Sequence, residues 1–61
     1  MTYQEAVMTS KITGKCIRHE YFTSDEYFIY DNGTVRDNGG YDMTRWYKGE
    51  AWQDKGWYVE G

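Results

Sequence analysis

Sixty-one residues with ten acidic and seven basic side chains, net charge −3, imply one small domain over residues 1–61 and argue against a basic nucleic-acid footprint. The single cysteine, Cys16, excludes an internal disulfide; without clustered Cys and His there is no zinc pattern either, and it reads as a small hydrophobe in a reducing compartment. No apolar run approaches the ~20 residues of a membrane helix and no signal-peptide pattern opens the chain, so a soluble cytoplasmic protein is expected.

Thr2-Tyr3-Gln4-Glu5 fits a capping box, with Thr2 as N-cap and Glu5 reaching back to its amide. Tyr3, Ala6, Val7 and Ser10 then share one face at helical spacing. Thr9, Ile12 and Thr13 weaken the helix as it proceeds, and Gly14 suits a left-handed position beyond its end. The spacing predicts a helix over residues 3–11. Lys15 to His19 alternates as a strand, with Cys16 and Arg18 on one side and Ile17 on the other. Glu20 to Ser24 connects it to a second strand, Asp25 to Asp31.

Asn32-Gly33 supplies the positive φ at two successive residues that a type I′ hairpin turn requires. The turn sets Asp31 opposite Thr34, Tyr30 opposite Val35 and Ile29 opposite Arg36, among the aromatic and β-branched residues that strands favour. Tyr27, Ile29 and Asp31 share one face of the incoming strand, and Phe28 and Tyr30 the other. Large apolar groups on both faces suit a sheet with the helix on one side and another subunit on the other.

Asp37-Asn38-Gly39-Gly40 is a second, looser turn. Tyr41 to Tyr47 fits a short edge strand or an irregular loop equally well. Ala51 to Asp54 reads as a single helical turn, and Trp57 to Glu60 as a last strand with Trp57 and Val59 inward. The expected fold is α+β: a short N-terminal helix packed on a small antiparallel β-sheet of about four strands.

Seven Tyr, three Trp and two Phe, with no Leu, make the apolar content unusual in kind. Rings with a polar tip suit boundaries between dry and wet surroundings, so part of this set is expected at a subunit contact or ligand surface. A chain this short buries only ~60% of its unfolded surface, which again points to a homo-oligomer.

No catalytic constellation stands out, and a non-enzymatic protein is expected. His19 is the only histidine, and its sequence neighbours Arg18 and Glu20 project to the other face of a strand, so a surface or interface position is expected rather than a general base. Cys16 shares its face with Arg18, which cannot accept a proton. The acids and asparagines at 31, 32, 37 and 38 are turn residues without the alternation of a calcium loop, so no metal or cofactor is expected. Arg18, Arg36 and Arg45 lie among aromatics, the combination that holds a phosphate and stacks a base. The plainer reading is that they pair with acids such as Asp37 and Asp42. Arg45 and Trp46 fall in the stretch without firm secondary structure, where binding loops tend to occur.

A helix of the form M-x-[YF]-x-x-A, then G-K-x-[IV], a hydrophobic hairpin and a tryptophan-bearing last strand resemble the small phage proteins of the Thoeris anti-defence type two family. The matching residues are Met1, Tyr3, Glu5, Ala6, Gly14, Lys15, Ile17, Trp57 and Val59. The resemblance implies an oligomeric sponge in the host bacterial cytoplasm that sequesters a cyclic nucleotide immune signal without degrading it. His19 stands where the family usually has arginine, Phe22 where it has tryptophan, and Gly56 where it has an acid before the final tryptophan. The ligand-binding set expected from residues and resemblance together is Arg18, His19, Phe22, Arg45 and Trp46. A second expectation, of a different class, is an acidic protein–protein inhibitor that blocks a host defence enzyme or nuclease.

Overall fold

Short-range chemistry decides the best-defined elements of the computed structural model, which describes residues 1–60. Helix α1 runs Tyr3–Thr13, capped by Thr2, whose hydroxyl accepts from Glu5 N at 3.2 Å while Glu5 Oε1 accepts from Thr2 N at 2.8 Å. It ends at Gly14 in the left-handed region, φ 73°. The helix runs on past its expected end at residue 11, its last turn closed by Gly14 N donating to Ser10 O at 2.8 Å. Thr9 Oγ1 donates to Glu5 O at 2.9 Å and Thr13 Oγ1 to Thr9 O at 2.7 Å.

The remaining elements are β1 (Ile17–His19), β2 (Phe28–Asp31), β3 (Thr34–Asp37), a 3₁₀ turn at Ala51–Asp54, and β4 (Trp57–Val59). The strands form one antiparallel sheet in the order β3-β2-β1-β4, and α1 packs on one of its faces. This is the α+β arrangement the sequence implies. The hairpin register pairs Asp31 with Thr34, Tyr30 with Val35 and Ile29 with Arg36, around Asn32 at φ 51° and Gly33 at φ 88°.

Strands β1 and β2 both start later than the sequence pattern implies, for separate reasons. Ser10 projects from α1 into the point where the two strands diverge and is buried there. Its hydroxyl donates to Lys15 O at 2.7 Å and accepts from Tyr30 N at 3.0 Å, standing in for a ladder bond between the strands. Before β2, Thr23 to Glu26 fold into a turn instead, closed by Glu26 N to Thr23 O at 3.1 Å and by Thr23 N to Glu26 Oε1 at 2.9 Å.

The core on the α1 side consists of Ala6, Ile17, Phe28, Val35 and Trp57, with Tyr3, Val7, Phe22, Met43, Trp46 and Val59 packed against it. No helix among the described residues is long and apolar enough to cross a membrane.

The hairpin turn carries the first prediction. A Cβ at Gly33 would meet nothing within 4 Å, so any penalty there is purely one of backbone conformation. Gly33→Val is expected to cost about 1–2 kcal/mol. For a domain this small that lowers the melting temperature by about 5–10 °C, and an unchanged melt in calorimetry would contradict the turn geometry.

Candidate functional site

The alternation that buries Ile17 in β1 also buries His19, which shares its face and is 1% exposed. Nδ1 accepts from Tyr21 N at 3.1 Å, and because an amide can only donate, Nε2 carries the proton and donates to Trp52 O at 2.9 Å. The ring lies 5.0–6.5 Å from those of Phe22, Trp46, Trp52 and Trp57. The expected surface or interface position is thus corrected: His19 joins β1 to the 3₁₀ turn from inside the core.

Trp46 is a second correction. Its ring sits 5.1 Å from Phe28, 5.7 Å from Trp57 and 6.1 Å from Phe22, in edge-on contacts that rings prefer. The stretch without regular structure is therefore half core wall, not a free binding loop. Gln53, buried beside it, holds that wall in place. Its Oε1 accepts from Lys48 N at 2.9 Å and Glu50 N at 3.2 Å, and its Nε2 donates to Trp46 O at 2.8 Å. The Trp57 indole in turn donates to Gln53 O at 2.6 Å. Sequence reading gave Gln53 no role, and a lone amide in a polar segment carries no signal of burial.

Arg18 projects to the opposite face of the sheet, away from Phe22 and Trp46. Its Nη1 donates to Ser24 O at 2.5 Å and Glu26 O at 3.2 Å. Its Nε lies 3.0 Å from Glu60 Oε2, an ion pair without hydrogen-bond alignment. The guanidinium also stands 6.0 Å from the Tyr27 ring centroid. Of the five expected ligand residues, His19, Phe22 and Trp46 come together, but as packing. Arg18 and Arg45 join neither that cluster nor each other.

Arg45 lies on a different kind of surface. Residues 41–43 run along β3 as a strap, held by Asp37 N to Tyr41 O at 3.0 Å, Met43 N to Val35 O at 2.7 Å and a bridge between Arg36 and Asp42. Both readings of this stretch are partly met: one bridge of edge pairing, then an irregular turn. Beyond the strap, Asp42, Thr44 and Arg45 line an open concavity of about 490 Å³. The Asp42 carboxylate is turned onto its own loop, accepting from Thr44 N at 2.8 Å and Thr44 Oγ1 at 2.5 Å. Those bonds, with Arg36 and Arg45 nearby, hold it below the usual carboxylate range. Arg45 makes no hydrogen bond or ion pair among the described residues. Tyr41, the exposed ring of the strap, is 73% exposed.

No family model, no curated protein and no solved structure matches this chain. Among the described residues no three His, Cys, Asp or Glu side chains gather as metal ligands.

Trp46→Ala is expected to destabilise the fold by about 3 kcal/mol, the low end for a tryptophan because the ring is only half-buried. Since so small a core supplies only ~3–5 kcal/mol in all, urea unfolding should lose most of its folded baseline. A native-like transition would mean that Trp46 is not part of the core.

A pH prediction comes from Asp54, whose Oδ2 accepts from Tyr47 Oη at 2.7 Å and Oδ1 from Tyr3 N at 3.0 Å. The Tyr47 bond first, and then the Tyr3 amide, hold its carboxyl below the ordinary value of 3.8. A depressed folded pKa contributes stability above the unfolded value, and that contribution is lost as pH falls through the folded one. The melting temperature should therefore drop below about pH 4, and Asp54→Asn should flatten that acid limb while leaving the shape between pH 5 and 8 alone. An unchanged acid limb in the variant would remove Asp54 as its source.

Proposed function

We propose that the chain is a non-enzymatic, phage-type anti-defence protein: a homo-oligomer that sequesters a cyclic nucleotide or another phosphate-bearing immune signal in the host bacterial cytoplasm. The observation that carries this reading is the uncommitted guanidinium of Arg45 at the rim of a concave, pre-ordered surface. Phosphate capture needs a fixed cation with donors to spare. Arg18 is spent on three partners, and Arg36 donates to Gly40 O at 3.0 Å and faces Asp31 at 3.7 Å.

Arg45 is the arginine left over. The concavity falls within the ~300–1,000 Å³ usual for small-molecule sites. The strap bonds to β3 fix the loop before any ligand arrives, which favours affinity without chemistry. The likeness to the Thoeris anti-defence type two family supports the same reading. The ligand surface is accordingly moved from the expected five residues to Arg45 with Thr44, beside an Asp42 carboxylate turned onto its own loop.

A second reading rests on a different patch. Tyr21, 70% exposed, and Trp52 lie 6.0 Å apart between Glu20 and Glu50, and Glu50 Oε2 accepts from the Trp52 indole at 2.6 Å. Exposed rings framed by carboxylates suit a basic protein surface, as an inhibitor of a host defence enzyme or nuclease would require.

Calorimetry with a panel of cyclic dinucleotides and ADP-ribose-type cyclic nucleotides separates the two. Heat of binding is expected for the wild type, with Arg45→Ala weakening affinity by about 10–100-fold, the scale of one charge-assisted phosphate contact, at an unchanged melting temperature. No heat with any of the panel, together with retention of a host protein sensitive to Trp52→Ala, would replace capture with inhibition.

A further inference from the structure

The two edges of the sheet are treated differently. Along β2 and β3, the pairing of Asp31 with Thr34 and Ile29 with Arg36 leaves Val35 and Asp37 with their backbone groups directed outward. The chain covers that edge itself, since Met43 N donates to Val35 O and Asp37 N to Tyr41 O.

The same alternation can be followed on β4. Glu20 N donates to Gly56 O at 3.0 Å and Glu60 N to Cys16 O at 2.9 Å, in a register that pairs Arg18 with Tyr58. Residues 56, 58 and 60 therefore face β1, and Trp57 and Val59 direct N–H and C=O to the outside. Among the described residues no hydrogen bond reaches those outward groups. The edge also lacks the usual guards: the chain contains no proline, and Trp57, Tyr58 and Val59 are uncharged.

We propose that a second copy of this chain occupies the β4 edge, the two β4 strands pairing antiparallel about a two-fold axis at Tyr58. Only this register satisfies the outward groups reciprocally, Trp57 with the second copy's Val59 and Val59 with the second copy's Trp57. Tyr58, 50% exposed on the face away from α1, then meets its own equivalent in a close non-hydrogen-bonded pair, Cα atoms about 4.5 Å apart. On the core face, buried Trp57 lies beside half-buried Val59, so both cores join across the axis. Glu60 falls opposite Gly56 of the second copy, over which that copy's Glu20 carboxylate lies, while Arg18 of its own chain, 3.0 Å away, offsets the Glu60 charge. The two Glu60 carboxylates stand four residues apart along the strands, ~13 Å at the usual rise, so they do not meet each other. A chain with so small a core gains a continuous sheet and one fewer open edge.

This assigns an interface to the oligomer of the proposed function and is independent of any ligand. Its test is amide exchange of the nucleotide-free wild type by NMR, with light scattering at the same concentrations. The expected result is a mass of twice 7.3 kDa, with Trp57 and Val59 amides protected in proportion to the dimer fraction. Val59→Pro removes an outward N–H that β1 does not use, and a proline is tolerated at such an edge position. Tyr58→Glu sets two carboxylates against each other at the axis while giving Arg18 an acid to face within its own chain. Each variant should weaken dimerisation at least tenfold and keep the monomer's fold. A dimer whose Trp57 and Val59 amides exchange freely would overturn this interface and leave oligomerisation standing. A monomer at all concentrations would overturn both, while nucleotide capture by Arg45 would still be measured on its own.

Discussion

The structure depends on a core made of rings, and rings with polar atoms have to be satisfied before they can be buried. Without leucine, and with Ile12 lying outside it, the core leans on His19, Trp46 and Trp57; the ring nitrogens of His19 and Trp57 and the neighbouring carbonyls are costly to leave unpaired in a dry interior. The solution is a closed set of bonds. His19 joins Tyr21 N to Trp52 O, the Trp57 indole donates to Gln53 O, and the Gln53 amide binds Trp46 O. Each bond also ties down a segment of backbone in the otherwise irregular stretch from 41 to 56. Replacing His19, Gln53 or Trp57, the members that bond through their side chains, with an aliphatic residue would leave the partners unpaired.

That constraint explains which features could be read in the sequence. The helix cap, Gly14 and the Asn32-Gly33 hairpin rest on contacts a few residues apart, and each stands as the local pattern implies. His19 was readable in principle: it has the parity of Ile17, and a strand that buries one buries the other. Its proximity to Arg18 and Glu20 in sequence drew attention to the wrong face. Trp46 and Gln53 carried no such signal. Their burial is decided by Phe28 and Trp57, residues remote along the chain or beyond a turn, and no periodicity reports a contact of that kind. The candidate site was legible only as a residue type. Three arginines among aromatics were visible as candidates, but which of them stayed without a partner depended on where the carbonyls of Ser24, Glu26 and Gly40 fell.

The same economy shapes the surface. Arg18 and Arg36 act as struts, tying loops to the sheet through carbonyl oxygens, and so lose their value to a ligand. Arg45 sits past the end of the strap, where the chain has already spent its backbone donors on β3 and leaves the guanidinium to solvent. Function in so small a domain is confined to the groups that folding does not use. Arg45, Tyr41, Tyr21 and Trp52 belong to that remainder.

Gly56 shows how a departure in sequence can be local to one position and yet not to one place. It adopts φ 82°, and a Cβ there would fall 2.6 Å from the carboxylate carbon of Glu20, so side chain at 56 and carboxylate at 20 exclude each other. The two residues are paired across β1 and β4 through Glu20 N and Gly56 O, which fixes that overlap in the backbone itself. An acidic group therefore stands beside the residue preceding Trp57, supplied from the neighbouring strand. A side chain at 56 would meet both the strain of a left-handed backbone and the Glu20 carboxylate, so shortening Glu20 would relieve only the second.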